Sequence, residues 1–367
     1  MEVQTEAKAL VQRNHGLDWL RTGCILLLFP FHTARIFDAW EPNYIKDTVN
    51  SFSSWFVFLS SYWFMPLMFV IAGVSSYYAL QKRAPGQYVK ERFSRLLVPF
   101  WVGILLVVPI QGYLASVQQY GYTGGYLSFL PSYFTNFSDL TGYTGSFTPA
   151  HLWFLLYLFV ISAGLLPVLM RIRQTDGQKP SFWGKPAALP LAFVPLAITS
   201  ALPGVGGKNP FYFAAFFLLG YWLAHRNLLD TLKKYCIWYL VGALFAGACF
   251  VGIVSLLQFA SGYTVEAAIV ALFRELAAWL MILALIGLAQ AYCNKPGKAL
   301  HYCNGASFPV YILHQSVMMA VAFFVVTWPL PAWAKFLLIA AGSLLFSLAG
   351  YEALRRFRIT RFLLGMK

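Results

Sequence analysis

The sequence predicts an all-α integral membrane protein with about ten transmembrane helices and both termini in the cytoplasm. Of its 367 residues, 59% are hydrophobic and only 11% are charged, whereas soluble domains carry roughly 25% charged residues. Apolar runs long enough to cross a hydrocarbon core about 30 Å thick recur along the whole chain. The runs are continuous and lack the alternation of strands, which favours helices that satisfy their own backbone hydrogen bonds.

The predicted spans divide the chain into three parts. These are an N-terminal segment, 1–19, a membrane domain, 20–354, and a basic tail, 355–367. A Gly- and Tyr-rich stretch, 116–150, is expected to form a partly re-entrant surface loop. The ten spans are 20–38, 53–80, 97–115, 151–170, 187–204, 209–224, 236–258, 264–290, 308–328 and 332–354.

The distribution of basic residues predicts the orientation. Positive residues favour cytoplasmic loops, and with an internal N-terminus nearly all of the 27 Lys and Arg residues fall on that side or at its boundary. The net charge of +14 therefore indicates topology in a multi-pass cell (inner or plasma) membrane protein. It does not indicate nucleic-acid binding, because no basic domain is present. The exceptions are Arg35, Lys46, Lys208, Arg274 and Lys335.

The five cysteines argue against a disulfide framework, because they lie mostly within spans or on the predicted cytoplasmic side. Their spacing relative to one another and to histidines is not that of a zinc site. We expect no metal.

The first span carries four polar residues along one face. Arg21 and His32 are eleven residues apart, or about 16 Å along a helix. Asp18 lies one turn before Arg21, and Arg35 lies one turn after His32. A lone histidine more often bonds a neighbouring helix, and an arginine can extend to the headgroups. Four aligned polar residues favour a functional face instead.

Arg92 and Arg95 enter the third span one turn apart, before Pro99. As cytoplasmic membrane anchors they need no further explanation. Two guanidinium groups at this spacing can also chelate a pyrophosphate or a 3′-phosphate. The sequence alone leaves both interpretations open.

Two later spans also contain histidines. His151 and Trp153 open the fourth span, where they can simply belong to the interfacial aromatic belt. In the ninth span, Ser307, Tyr311 and His314 share one helix face, and His314 can equally be a core histidine with satisfied hydrogen bonds. These residues are candidates for binding substrate.

Other charged residues have weaker functional signals. Asp38 and Glu41, beyond the first span, can orient a sugar hydroxyl or simply be solvated. In the eighth span, Arg274 and Glu275 are adjacent and are not expected to face each other. Each would then need a partner on another helix, so we expect structural bridging there, with Glu266 nearby.

Taken together, these motifs resemble those of the transmembrane acyltransferase-3 family. The resemblance runs along essentially the whole chain and is closest to the branch that includes periplasmic glucan succinyltransferases. One departure is Ala72, where many members have Ser before the Gly. The motifs are Arg21 with His32, Arg92 with Arg95, and the stretches 17–21, 65–73, 151–155 and 307–314.

The resemblance implies transfer of an acyl group from a cytosolic acyl-CoA, such as acetyl-CoA or succinyl-CoA, to a hydroxyl of an extracytoplasmic glycan or related acceptor. It implies that His32 is catalytic, with support from Arg21 and Asp18. It also implies that Arg92 and Arg95 bind the acyl-CoA donor. The expected partners are the lipid bilayer and the acceptor, and a homodimer is compatible with the sequence. Candidate acceptor-binding residues are Arg35, Asp38, Glu41, His151, Trp153, Tyr311 and His314.

Two other classes of function remain open from the sequence. A secondary transporter or flippase of a small polar substrate or glycolipid also needs many spans and buried charges, but no inverted repeat is visible. A non-catalytic membrane scaffold would leave the polar face of the first span unexplained.

Overall fold

The computed structural model describes residues 14–177, 182–257 and 262–366. Most of the predicted N-terminal segment, the end of the predicted seventh span and the last residue of the tail lie outside the described residues. The α-helices are α1 (His15–Phe37), α2 (Ser51–Lys82), α3 (Pro85–Arg92), α4 (Val98–Leu106), α5 (Pro109–Tyr120), α6 (Tyr126–Thr135), α7 (Trp153–Gly164), α8 (Leu166–Gln174), α9 (Phe193–Ser200), α10 (Pro210–His225), α11 (Leu229–Leu257), α12 (Val265–Tyr292), α13 (Lys298–Val325), α14 (Ala332–Leu354) and α15 (Arg358–Leu363).

Every predicted span coincides with a helix or a pair of helices. Within the described residues, six helical segments are each long and apolar enough to cross a membrane. The pair α7 and α8, bent by 51°, gives a seventh if it forms one span. The all-helical membrane fold is thus confirmed, while the count of ten spans and the sides of the termini stay predictions. The other three predicted spans correspond to the polar α1 and to the shorter segments Leu189–Ser200 and Pro210–His225.

Helix α1 lies inside the bundle, where it packs against α2, α12, α13 and α14. Both described ends of the chain reach the same end of this bundle, which we call the terminal end. There the side chains of Asn14 and Gln290 exchange two hydrogen bonds of 2.8 and 2.7 Å. The tail returns to the same end and packs against the start of α4. A Cβ added to Gly365 would lie 3.1 Å from the Pro99 ring.

A π-helical turn, Phe93–Leu97, separates α3 from α4. Pro99 has no N–H group and cannot donate to the carbonyl of Arg95, four residues earlier. The Val98 N–H instead reaches back five residues to the carbonyl of Phe93. Such turns are frequent at functional sites, and this one directly follows Arg92 and contains Arg95.

In α12, the prediction that Arg274 and Glu275 do not face each other was wrong, whereas the bridge from Glu275 to another helix is confirmed. The Arg274 Nε donates to the Glu275 carboxylate at 2.7 Å, although the two residues are adjacent. The prediction considered only the directions of the Cα–Cβ bonds. The arginine side chain is long enough to fold back along the helix and reach its neighbour. Glu275 is fully buried, and the Tyr212 hydroxyl of α10 donates to its second oxygen at 2.7 Å.

Helices α2 and α10 touch through two glycines. A Cβ on Gly73 would lie 2.0 Å from the carbonyl oxygen of Phe217, and a Cβ on Gly220 would lie 2.1 Å from that of Val70. Small residues allow such close backbone approach in membrane bundles. The opposing atoms are backbone atoms and cannot move aside alone.

We therefore expect Gly220→Ala to force α2 and α10 apart. The free energy of unfolding should fall by about 1–3 kcal/mol, which is typical of overpacking. Thermal unfolding of the purified protein in detergent measures this change. The matched control is Gly252→Ala in α11, where no heavy atom lies within 4 Å of the added Cβ. Equal unfolding temperatures for the two variants would contradict the tight α2–α10 contact.

Candidate functional site

A cavity of about 790 Å³ opens at the terminal end of the bundle. Its walls come from α1, α2, α3, the π turn, α7, α13, α14 and the tail. Among the described residues that line it, positive charge is in large excess, so the cavity suits a ligand with several negative charges. Its charged lining consists of Arg21, Arg83, Arg92, Arg95 and Arg355, with Glu91 as the single carboxylate.

The two arginines of the third predicted span differ from the other three in their partners. Arg92 donates to the Ser76 hydroxyl at 2.8 Å, and its guanidinium lies 5.0 Å from the centre of the Tyr88 ring. Arg95 is exposed to the cavity and has no hydrogen-bond or ion-pair partner in the described part of the chain. Neither charge is neutralised by a carboxylate. Arg83, by contrast, pairs with Glu91 at 2.8 Å.

Arg21 is held by two neighbours. Its Nη2 donates to Asp18 at 2.7 Å, as the sequence predicted, and to the Asn304 side chain at 2.7 Å. Asn304 belongs to α13 and escaped the sequence analysis, because nothing local to it indicates a contact with α1. The two acceptors fix the guanidinium at the wall of the cavity.

Tyr311 lines the cavity and borders a cluster of three histidines. Its ring centre lies 5.7 Å from that of His314 and 5.8 Å from that of His151. His314 in turn lies 4.8 Å from His151 and 5.3 Å from His32, measured between ring centres. The fold thus joins histidines from α1, α13 and the short helix before α7.

Hydrogen bonds hold the His151 ring at both nitrogens. Its Nε2 lies 2.9 Å from the Ile312 carbonyl, which can only accept, so Nε2 carries the hydrogen. Its Nδ1 then accepts from the Gln111 amide at 3.4 Å. Gln111 also donates to the Ser316 hydroxyl at 2.7 Å. Neither Gln111 nor Ser316 was noted from the sequence.

His314 and His32 are less constrained. The fully buried His314 uses Nδ1 to donate to the Tyr311 carbonyl at 2.6 Å, which leaves its Nε2 without a partner among the described residues. His32 is half-buried and forms no hydrogen bond within the described ranges. Each of these neighbouring rings therefore keeps at least one nitrogen without a partner in the described structure, and such a nitrogen can bind a proton or a substrate.

At the other end of the bundle, which we call the opposite end, several predicted acceptor residues bind one another. The fully buried Asp38 accepts from Arg35 at 2.5 Å and from Lys46 at 2.8 Å. The exposed Glu41 lies 3.7 Å from Lys46. This network folds the segment after α1 back onto its end.

Lys208, which the sequence analysis treated only as a topological exception, lies close to the site. Its Nζ is 5.5 Å from the centre of the Trp153 ring. Lys208 is exposed as a whole, but desolvation of its ammonium group lowers the pKa, and repulsion from Arg35 lowers it further. Both cations also interact electrostatically with His32. Trp153 itself packs at 5.0 Å against Phe213.

The family pattern described as an acyltransferase domain matches residues 14–352 of this chain. The chain belongs to the acyltransferase-3 family. It is similar to the glucans biosynthesis protein C of Escherichia coli strain E24377A, with 23% identity over 359 residues, 89% of this chain and 87% of that protein. The protein of the same name in strain K12 DH10B is 28% identical over 168 residues, 44% of this chain and 40% of its own. No solved structure matches.

The predicted family is thereby confirmed, and the name of the relatives agrees with the predicted placement beside glucan-related members. The protein is a multi-pass membrane protein of an acyltransferase family. Among the residues that the structure describes, no three His, Cys, Asp or Glu side chains, the three clustered histidines included, are placed so that they could hold a metal ion.

The loop network at the opposite end yields a stability prediction. Asp38→Asn leaves Arg35 and Lys46 partly buried without their shared carboxylate, so we expect a loss of about 3–5 kcal/mol in the free energy of unfolding. Glu41→Gln removes a carboxylate from the same loop, but this one is exposed, so its loss should cost no more than about 1 kcal/mol. Denaturant unfolding in detergent compares the two variants, and equal losses would refute the structural role of Asp38.

Proposed function

We propose that this protein transfers an acyl group from a cytosolic acyl-CoA to a hydroxyl of an extracytoplasmic glycan or related cell-surface acceptor. One observation carries the proposal. An arginine-lined cavity at the terminal end reaches Tyr311, whose ring packs against His151 and His314, and His314 in turn packs against His32. A donor with phosphates at one end and a thioester at the other fits such an arrangement.

We further propose ten spans with the terminal end in the cytoplasm. Lys and Arg cluster at this end, with five in residues 82–95, three in 226–234 and two in 295–298, as expected of cytoplasmic segments. The arginine-lined cavity then opens towards the cytosolic pool of acyl-CoA. The opposite end, with Trp153 and Lys208, faces the acceptor.

The donor in this proposal lies with its phosphates near Arg92 and Arg95. Both charges lack a carboxylate partner in the described structure, so a phosphate can bind them without displacing an existing ion pair. Arg21, already oriented by Asp18 and Asn304, adds a further positive charge on the opposite wall. The acyl group then points inward along the cavity to Tyr311.

His32 acts on the acceptor hydroxyl in this mechanism. It accepts the hydroxyl proton as the oxygen attacks the thioester carbonyl, the C–O bond forms and the C–S bond breaks, and the proton passes to the departing thiolate. Alternatively His32 first takes the acyl group and then passes it to the hydroxyl. The buried His314, beside His32, positions it in both routes. Burial excludes water that would otherwise hydrolyse the thioester.

His32→Ala should therefore abolish most transfer. General acid–base catalysis contributes about 10²–10⁴-fold, so we expect the rate with labelled acyl-CoA to fall at least about 100-fold. The matched control is His225→Ala, which removes a histidine that contacts Thr175 at the terminal end. Full transfer activity in the His32 variant would exclude this mechanism.

Binding of coenzyme A tests the donor site separately. We expect Arg92→Ala with Arg95→Ala to weaken binding by about 100-fold, because each charge-assisted contact contributes about 1.5–3 kcal/mol. Lys90→Ala is the control, since Lys90 is an exposed cation on the same helix outside the cavity lining. Isothermal titration calorimetry of the purified protein measures both affinities. Unchanged affinity in the double variant would contradict the assignment.

A further inference from the structure

The wall of the cavity formed by the C-terminal part of the chain carries aromatic and basic residues that the mechanism above does not use. Tyr302 of α13, Tyr351 of α14 and Arg355, just after α14, all line the cavity. The tail completes this wall, because Gly365 and Met366 also line it. Gly365 has a φ of +63°, and a Cβ there would lie 2.8 Å from the Phe308 ring. The tail is thus seated tightly against α13.

Tyr302 presents an aromatic surface to the cavity. Its side chain remains 40% exposed although it packs edge-on to Tyr351, with ring centres 5.9 Å apart. An exposed tyrosine ring on the wall of a basic cavity is a suitable stacking surface for a nucleobase.

Arg355 lies beside this aromatic pair. Its guanidinium is 5.4 Å from the centre of the Tyr351 ring, and its Nε forms an ion pair with the Glu352 carboxylate at 2.9 Å. The pair with Glu352 is exposed, and such pairs contribute little to stability. A phosphate can therefore replace the carboxylate as the partner of Arg355 at small cost.

We propose that this wall is the nucleotide subsite of the donor, with the adenine stacked on Tyr302 and the adjacent 3′-phosphate bound by Arg355. The inference rests on the proposed acyl-CoA donor. It divides the donor between two walls, with the diphosphate at Arg92 and Arg95 and the adenosine 3′-phosphate at the C-terminal wall. The tail after α14 then forms part of the donor site.

This division of the donor site is tested with two ligands, one that contains the nucleotide and one that lacks it. Coenzyme A and 4′-phosphopantetheine, which lacks the adenosine 3′,5′-bisphosphate, are titrated into the full-length protein in detergent. The wild-type protein should prefer coenzyme A. We expect Tyr302→Ala and Arg355→Ala each to weaken coenzyme A binding by about tenfold and to leave phosphopantetheine binding unchanged. For Arg355→Ala, coenzyme A and its 3′-dephospho form should bind equally.

The matched controls are Arg356→Ala and Tyr292→Ala. Both residues are exposed near the terminal end and neither lines the cavity, so both variants should retain the wild-type preference. If Tyr302→Ala and Arg355→Ala also retain it, the nucleotide subsite is refuted while the donor site at Arg92 and Arg95 stands. If the wild-type protein binds no coenzyme A, the proposed donor fails, and this inference fails with it.

Discussion

Polar groups inside a membrane bundle must find partners within the protein, because lipid offers no hydrogen bonds. Most charged side chains in this bundle obey that constraint. Asp38 joins two cations, and Glu275 binds both Arg274 and Tyr212. Against this background, the groups that lack such partners are informative. Within the described ranges, the Nε2 of His314 and the guanidinium of Arg95 have no partner, and a ligand would supply the missing contact there.

Pro99 influences the wall of the cavity through its effect on the local helix geometry. Pro99 cannot form the regular helical hydrogen bond to the Arg95 carbonyl, and the backbone forms a π turn at this point. The turn leaves the Arg95 carbonyl beside the tail, where a Cβ on Gly365 would lie 3.3 Å away. One missing N–H group thus places the donor arginine next to the C-terminal segment that completes the cavity wall.

The helices and the Asp18–Arg21 contact could be predicted because each depends on hydropathy or on helical spacing within one segment. The convergence of His32, His151 and His314 could not. Each residue lay on a recognisable polar face, but a single sequence does not reveal which faces meet across the bundle. Lys208 was missed for a related reason, because an exposed loop lysine has no local signal for its position above Trp153.

Tyr311 links the two halves of the proposed reaction. Its ring lines the donor cavity, its hydroxyl donates to the His151 carbonyl at 2.5 Å, and its own carbonyl accepts from His314 at 2.6 Å. A thioester that advances from the cavity must therefore displace or pass the residue that holds both histidines. Displacement of the Tyr311 ring would break the bond from its hydroxyl to the His151 carbonyl, whereas the Tyr311 backbone carbonyl would stay on His314. In the proposed mechanism, arrival of the acyl group is thus coupled to the histidine cluster through one side chain, which would shield the thioester from water until the acyl group reaches His32.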